Sequence, residues 1–379
     1  MSDKAAQLFN AFDRGFLTRR QLLQALGVAV VARPLSTFAQ GSCGGTRAGT
    51  PECNAKMLPL PFEPTGWTTV LLDHFSMQVA DYKKEAAYFA ALMNWKIRSD
   101  DGTKALLDIG DWGGIMIRGG LTPPAPPAPP APPAAPPAGT AAAGAATGGG
   151  GRGGGGGRGG ARTAVFNGFC WGITPWDTKK VEAELKKRGL DPVAEHDGKD
   201  FQSFHVKDPG GFDLQISNGN PKNRRTTPAK GSVGVPAPFD STDWKTVWLD
   251  HISYQVADYK ANVAFYQALL GWKPGVDEGS QNETQAGPMG GLIIRGGNSL
   301  APAWVAGSPA ATRATTIGHI SFGITPFDPD AVKAELDKRG LSARVDTGGN
   351  GDIHTATYKS YHTTTPNGFD LQISNVIKA

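Results

Sequence analysis

Polar and apolar residues alternate along several short segments of the chain, and this period of two predicts β-strands. In the segment 251–256, the apolar residues Ile252, Tyr254 and Val256 are separated by polar ones, and the segments 319–324 and 369–374 alternate in the same way. Between residues 257 and 272 the apolar residues recur at helical spacing instead. The pattern therefore predicts a strand, then a helix, then further strands.

An internal repeat decides how these elements are organised. The string Asp-His-x-Ser-x-Gln-Val-Ala-Asp-Tyr occurs at 73–82 and again at 250–259, and Gly-Gly-x-x-Ile-Arg-Gly-Gly follows each copy at the same distance. Self-similarity of this kind marks duplicated structural units. A second pair of matching strings follows in each half, at 171–176 and 211–218 and then at 322–327 and 368–375. Each half is thus predicted to contain two βαβββ units.

The chain divides into five segments on this basis. Residues 66–218 and 244–379 are predicted to form two tandem α+β domains, joined by a linker at 219–243. Residues 121–162 inside the first domain are nearly all Pro, Ala and Gly. Such a segment cannot bury a core, so we interpret it as a disordered insertion.

The first 40 residues differ in character from the rest. Arg19 and Arg20 precede a short apolar run, and small residues follow up to Ala39. This pattern resembles a twin-arginine export signal, which predicts a periplasmic or extracellular protein. An amphipathic helix that happens to contain two arginines is the alternative. In the tail at 41–65, Cys43 and Cys53 are close enough in sequence to pair in an oxidising compartment.

Composition narrows the set of partners. The formal charge is only +4 over 379 residues, and no dense basic run occurs, which argues against nucleic acid. The apolar run near the N-terminus is too short for a permanent membrane anchor. We expect a small-molecule substrate and a monomer or homodimer. Cys170 alternates with aromatic residues in a predicted strand, and we interpret it as a packing residue.

Several predicted strands carry one polar face. In the first strand of the second half, His251 and Ser253 share a face, and in a later strand His319 and Ser321 do the same. The last strand adds Asp370 and Gln372. A sheet with one apolar face and one face of this composition predicts a polar concave pocket.

Four features together resemble the vicinal oxygen chelate superfamily. They are the paired βαβββ units, Asp-His in the first strand, a strand of the second unit that opens with His, and a Thr-Pro-x-Gly or Asp-Pro-x-Gly turn before the last strand. That superfamily includes glyoxalase I, extradiol dioxygenases and bleomycin resistance proteins. The resemblance implies cupped mixed sheets with helices outside. It also implies one divalent metal ion, with Fe²⁺ favoured and Mn²⁺, Ni²⁺ or Zn²⁺ as alternatives. The implied ligands are His251, His319 and Gln372.

The first half departs from that ligand pattern. Its counterparts are His74, Gly168 and Gln215, so one imidazole is missing and the half is interpreted as a degenerate partner. In both halves Gln stands where the superfamily usually has Glu. In the second half, Asp370 is an alternative source of a carboxylate ligand.

The segment 360–368 is similar to the C-terminal part of extradiol dioxygenases. By that similarity His362 is the candidate general acid/base, and His205 is its first-half counterpart. His354 is a second candidate, for substrate binding. Further candidates for substrate binding are Arg295, Ser253 and Ser321.

These observations lead to one function hypothesis and one rival. The chain is predicted to be an exported, metal-dependent enzyme, dioxygenase-like or glyoxalase-like, that acts on a small oxygenated substrate in its C-terminal domain. The rival is a metal-free protein that binds or sequesters a small molecule, as in bleomycin resistance.

Overall fold

The computed structural model describes residues 58–122, 163–197, 200–220, 231–277, 281–297, 315–346 and 358–376. The predicted export signal, Cys43, Cys53, most of the Pro/Gly-rich insertion and His354 lie outside these residues. Across the described part of the chain, no helix combines the length and apolar character needed to cross a bilayer.

The first half forms one eight-stranded mixed sheet in the order β2-β3-β4-β1-β5-β8-β7-β6. The first and last strands of each unit pair in parallel, and the two units join through the antiparallel pair β1 and β5. Its elements are β1 (Thr68–Val79), α1 (Tyr82–Leu92), β2 (Lys96–Asp100), β3 (Lys104–Ile109), β4 (Gly113–Arg118), β5 (Ala164–Thr174), α2 (Thr178–Lys187), β6 (Val193–Asp197), β7 (Phe201–Lys207) and β8 (Asp213–Ser217).

The second half repeats this sheet in the order β10-β11-β12-β9-β13-β16-β15-β14. The α+β fold of two tandem domains, each built from paired βαβββ units, is therefore confirmed. Its elements are β9 (Lys245–Val256), α3 (Tyr259–Leu270), β10 (Lys273–Asp277), β11 (Gln281–Gln285), β12 (Gly290–Gly296), β13 (Thr316–Thr325), α4 (Pro329–Lys338), β14 (Arg344–Val345), β15 (Ser360–Thr364) and β16 (Asp370–Ser374).

An aspartate precedes each of the described helices α1 to α4 and caps its N-terminus. The carboxylate accepts a hydrogen bond from a backbone N–H in the first turn, which satisfies a donor that the helix itself leaves unpaired. Asp328 does this for α4, and Pro329 occupies the first turn as its sequence predicts. Gly271 ends α3 in the left-handed conformation, with a φ of 67°. The caps fix where each helix starts relative to the strand before it.

The apolar faces of the two sheets meet in one continuous hydrophobic core. Two tryptophans cross between the halves in a reciprocal way. The Trp95 Nε1–H donates to Thr246 Oγ1 at 2.8 Å, and the Trp272 Nε1–H donates to Thr69 Oγ1, also at 2.8 Å. Sequence patterning predicts that both tryptophans are core residues, but it does not predict that each bonds to the other half.

Two buried carboxylates also join the halves. Glu85, on α1 of the first half, accepts hydrogen bonds from the Asn367 backbone N–H at 3.1 Å and its side-chain amide at 2.8 Å. Asn367 belongs to the turn between β15 and β16 of the second half. In the related turn between β7 and β8, Asp208 of the first half accepts hydrogen bonds from the hydroxyls of Tyr254 (2.5 Å) and Tyr266 (3.0 Å). Buried polar contacts therefore join α1 of the first half to a turn of the second half, and a turn of the first half to β9 and α3 of the second half.

Glu85 gives the stability of this interface a pH dependence. Burial raises the pKa of Glu85 above its ordinary 4.5, although hydrogen bonds from Thr365 and Asn367 act in the opposite direction. A raised pKa in the folded state means that the contribution of this group to stability is complete below pH 4.5 and declines as the pH rises through the folded pKa.

We therefore predict that Glu85→Gln, which keeps an oxygen acceptor but cannot ionise, gains free energy of unfolding relative to the natural chain as the pH rises from 4 to 8. Urea unfolding at several pH values measures this difference. Glu182→Gln on the solvent side of α2 is the matched control and should show no such trend. A difference that stays flat or falls with pH contradicts the prediction.

Candidate metal centre

Four neighbouring strands of the second sheet place polar side chains in one row. Ser321 on β13 pairs with His251 on β9 on one side and with Gln372 on β16 on the other. His362 on β15 pairs with Gln372 in turn. Residues paired across adjacent strands project to the same face, so the row runs His251, Ser321, Gln372 and His362. The sequence predicts this common face, and the register brings its members together.

An irregularity in the strand pairing adds one more residue to this face. His251 pairs with Ser321 and Leu249 pairs with Phe322, which leaves Asp250 as an extra residue in β9. Such a bulge redirects a side chain that strict alternation would send to the other face. The Asp250 carboxylate lies 2.7 Å from Ser321 Oγ, which donates to it. A second shift in register occurs around His319.

The two predicted imidazole ligands converge. His251 Nε2 lies 3.0 Å from His319 Nε2. This is the length of a hydrogen bond between the two rings, and it also equals the spacing of two nitrogen ligands at right angles on one metal ion, each about 2.1 Å from it. Asp250 lies on the other side of His251, with its Oδ2 3.4 Å from His251 Nδ1. This placement orients the Nε2 atom of His251 toward His319.

Gln372 supplies the third predicted ligand position. Its amide nitrogen lies within hydrogen-bond distance of Asp346 Oδ2 at 2.8 Å, Tyr358 Oη at 3.0 Å and Ser360 Oγ at 3.0 Å, and its two N–H groups donate among these oxygens. These acceptors fix the amide nitrogen and therefore the orientation of the whole group. The buried oxygen Oε1 has no hydrogen-bond partner among the described residues. A buried carbonyl oxygen in this state costs stability unless a ligand such as a cation satisfies it.

His362 lies between two carboxylates at the end of the row. Its Nδ1 is 3.1 Å from each oxygen of Asp370, and its Nε2 is 3.8 Å from Asp346. Burial alone would lower the pKa of His362, but these carboxylates outweigh it and raise the pKa to about 9. His362 therefore carries a proton at neutral pH, and its ring stands nearly perpendicular to that of His319 with the centroids 5.0 Å apart.

A second combination of side chains is also close enough to share a cation. One ligand atom from each of His319, His362 and Asp370 lies within 4.8 Å of the others. Asp370, however, is already bonded to His362 and forms an ion pair with Arg344 at 2.7 Å. A metal held by this set would have to break the pair between His362 and Asp370. A metal held by His251, His319 and Gln372 would instead replace the hydrogen bond between the two imidazole Nε2 atoms and would leave the ion pairs of Asp370 intact.

Sequence reasoning missed three members of the surrounding network, which are Asp250, Asp346 and Tyr358. Burial alone would raise the pKa of Asp250, but the charge of His251 and the hydrogen bonds from His251, Ser321 and Ser374 hold it below its usual value. Burial and the nearby Asp250 charge raise the pKa of Tyr358, which keeps its hydroxyl neutral. The repeated Asp-His string was the available signal for Asp250. Strict alternation placed it on the wrong face because the bulge is invisible in the sequence.

The predicted substrate-binding residues lie along the same face. Ser253 is buried and pairs with Ile293 of β12, and Arg295 lies two residues further along that strand, opposite Gln255. Ser321 is occupied by its bond to Asp250. Arg295 therefore marks one end of the polar face, and His362 marks the other.

The first half has a different arrangement at the corresponding positions. His74 Nδ1 lies 2.8 Å from Asp73 Oδ1, and the Gln215 amide donates to Ser203 Oγ at 2.9 Å. His205 lies between Asp213 at 2.7 Å and Glu195 at 2.6 Å. Burial alone would lower the pKa of His205, but these two carboxylates raise it.

Gly168, the counterpart of His319, leaves no room for a side chain. A Cβ atom added at this position would lie 2.8 Å from the backbone oxygen of Asp213 and 3.1 Å from its Cβ. Asp213 thus occupies the space that an imidazole at position 168 would need. The close packing of β5 against β8 therefore excludes a second imidazole at position 168.

A family model matches part of the second half. Residues 248–373 match the model of the Glyoxalase/Bleomycin resistance protein/Dioxygenase superfamily. The second domain is thus matched to this superfamily. The internal repeat and the common sheet order relate the first half to the second. A search of curated protein sequences finds no relative that matches the chain.

Solved structures share the two-domain fold. The Mn(II)-bound glyoxalase from Novosphingobium aromaticivorans is 14% identical, with 81% of this chain and 82% of that one covered and a TM-score of 0.50. Homoprotocatechuate 2,3-dioxygenase from Brevibacterium fuscum, in complex with 3,4-dihydroxyphenylacetate, is 12% identical, with 86% and 84% covered and a TM-score of 0.50. At these identities the likeness concerns the fold.

The closed space at Gly168 generates a prediction. Gly168→His should lower the free energy of unfolding by about 1–3 kcal/mol, because the added side chain displaces Asp213. Urea unfolding measures the change. Asn167→His, at the half-buried neighbouring position, is the control and should cost less. An unchanged stability of Gly168→His would show that the first half has room for the missing ligand.

Proposed function

We propose that the second half is a metal-dependent enzyme of the vicinal oxygen chelate type that acts on a small oxygenated molecule. The separation of 3.0 Å between the Nε2 atoms of His251 and His319 is the observation that carries this proposal. A buried imidazole and a half-buried one at this distance, together with the buried Gln372 amide oxygen that has no described partner, fit a divalent cation.

His251, His319 and Gln372 would hold the ion. When bound, a divalent metal acts as a Lewis acid that binds and polarises the oxygen atoms of a substrate. The ligand set itself is neutral, since an amide replaces the usual carboxylate. Asp250 compensates in part, because its negative charge next to His251 increases the basicity of that imidazole.

His362 would act on the substrate as a proton donor. Asp346 and Asp370 stabilise its protonated form, and its ring lies next to that of His319, where the substrate would be held. A charged imidazole in this position donates to an oxygen that gains negative charge during the reaction. Arg295, at the far end of the polar face, would bind an anionic group of the substrate.

The substrate class proposed is a catechol or a dicarbonyl compound. Both present two neighbouring oxygen atoms, which suit a single cation flanked by a proton donor. The dioxygenase whose fold this chain shares was solved with a catechol, 3,4-dihydroxyphenylacetate. This catechol complex, together with the Thr-Pro-x-Gly turn before the last strand, favours dioxygenase-like chemistry over glyoxalase-like isomerisation.

We also propose that the protein is exported through the twin-arginine pathway. Support comes from the paired arginines, Arg19 and Arg20, ahead of a short apolar run. That pathway carries proteins that fold first, which suits a metal bound inside a finished domain.

Metal content tests the proposed ligands. In protein purified without chelators or a histidine tag, the double variant His251→Ala/His319→Ala should contain one equivalent less of divalent metal than the natural chain. Elemental analysis of both proteins measures this. His196→Ala removes an imidazole from β6, outside the candidate set, and should leave the content unchanged. Equal metal content in the natural chain and the double variant would contradict a metal at this site and favour a second half that binds its small molecule without metal.

A second prediction concerns the proton donor. On whichever catechol or dicarbonyl the enzyme converts, His362→Gln should lower turnover by about 10²–10⁴-fold while the metal content is retained. The matched control is His205→Gln, which removes the equivalent first-half histidine and should leave turnover close to that of the natural chain. Equal losses in both variants would contradict a chemical role for His362.

A further inference from the structure

The first sheet contains its own row of potential ligands. Cys170 on β5 pairs with His74 on β1 on one side and with Gln215 on β8 on the other. This is the same register that aligns His251, Ser321 and Gln372 in the second sheet. The two rows differ at their centre, where a thiol in the first half replaces a hydroxyl in the second.

A bulge adds a carboxylate to this row as well. His74 pairs with Cys170 and Leu72 pairs with Trp171, which leaves Asp73 as the extra residue of β1. One ligand atom from each of Asp73, His74 and Cys170 lies within 4.8 Å of the others. Cys170 is fully buried and His74 is 4% exposed, so the cluster lies inside the protein.

The chemistry of this cluster is specific. A thiolate, an imidazole and a carboxylate are the ligand types that zinc takes in proteins, and thiolate selects against the hard cations that prefer oxygen alone. A thiolate and a carboxylate also carry two negative charges together, which balance a buried Zn²⁺ ion. The set uses neither Gly168 nor any atom that would need the space filled by Asp213.

We propose that the first half holds a zinc ion through Asp73, His74 and Cys170. His74 Nδ1 and Asp73 Oδ1 lie 2.8 Å apart, so both atoms would contact one ion once the proton between them is released. Gln215 pairs with Cys170 on the side opposite His74, and its side chain is uncharged. The first half is then a domain whose ligand set has changed, rather than one that has lost its metal.

Cobalt substitution tests this proposal by a signal that only a thiolate ligand produces. The chain has 3 cysteines, so Cys43→Ser/Cys53→Ser leaves Cys170 as the only thiol. This full-length variant, produced in cobalt-supplemented cells, should show a thiolate-to-cobalt charge-transfer band in the near ultraviolet. The band should persist when His251→Ala/His319→Ala is added. Folded, cobalt-containing protein without the band would overturn the proposal.

Zinc content provides the second measurement. Cys170→Ser introduces the residue that the second half has at 321, so it is a conservative change, and it should remove one equivalent of zinc while far-ultraviolet circular dichroism stays the same. His74→Asn keeps the thiol and should remove the same equivalent. Zinc retained in both variants would overturn the proposal. His251 and His319 are intact in both of these variants and are removed only in the separate double variant. A loss of zinc from Cys170→Ser and His74→Asn therefore reports on the first half and not on the metal proposed for the second half.

Discussion

The continuous hydrophobic core between the two sheets is the constraint on which the rest of the structure depends. Each sheet has one apolar face, and burying it against the other half leaves the opposite face open for polar groups. Trp95 and Trp272 fix the relative position of the halves, because each bonds to a threonine of the other half's first strand. These are the strands that carry His74 and His251, so the packing that joins the halves also positions the proposed ligands.

The first half contributes directly to the geometry of the second-half site. The turn between β15 and β16 connects the strands that carry His362 and Gln372, and it is held by buried bonds from Asn367 to Glu85. The Tyr88 hydroxyl also donates to the backbone oxygen of Thr364, at 3.5 Å. Rigid support of this kind is what a site needs if its groups are to keep fixed distances. Duplication thus provides a scaffold even where the two copies differ in chemistry.

Much of this arrangement follows from sequence patterns, and the remainder depends on local irregularity. Alternation and the repeat predict the paired units and the common face of His251, Ser321 and Gln372. Alternation cannot predict Asp250, because a bulge adds one residue and reverses the side to which it projects. Nor can it show that Asp346, far from His362 in sequence, lies beside it. That contact depends on how β14 pairs with β15.

Under the two metal proposals, one register supports two different ligand sets. With His319 present, the second half brings two imidazoles together, and its Asp250 carboxylate binds a serine hydroxyl. The first half has Gly168 instead, and it cannot form the same pair of imidazoles because Asp213 occupies the space that a side chain at this position would need. The proposed zinc set would gain its third ligand from the change of hydroxyl to thiol at the centre of the row, with the strands unaltered. The choice of ligand set therefore rests on two positions of β5 and β13, while the shared core keeps the backbone of both sheets the same.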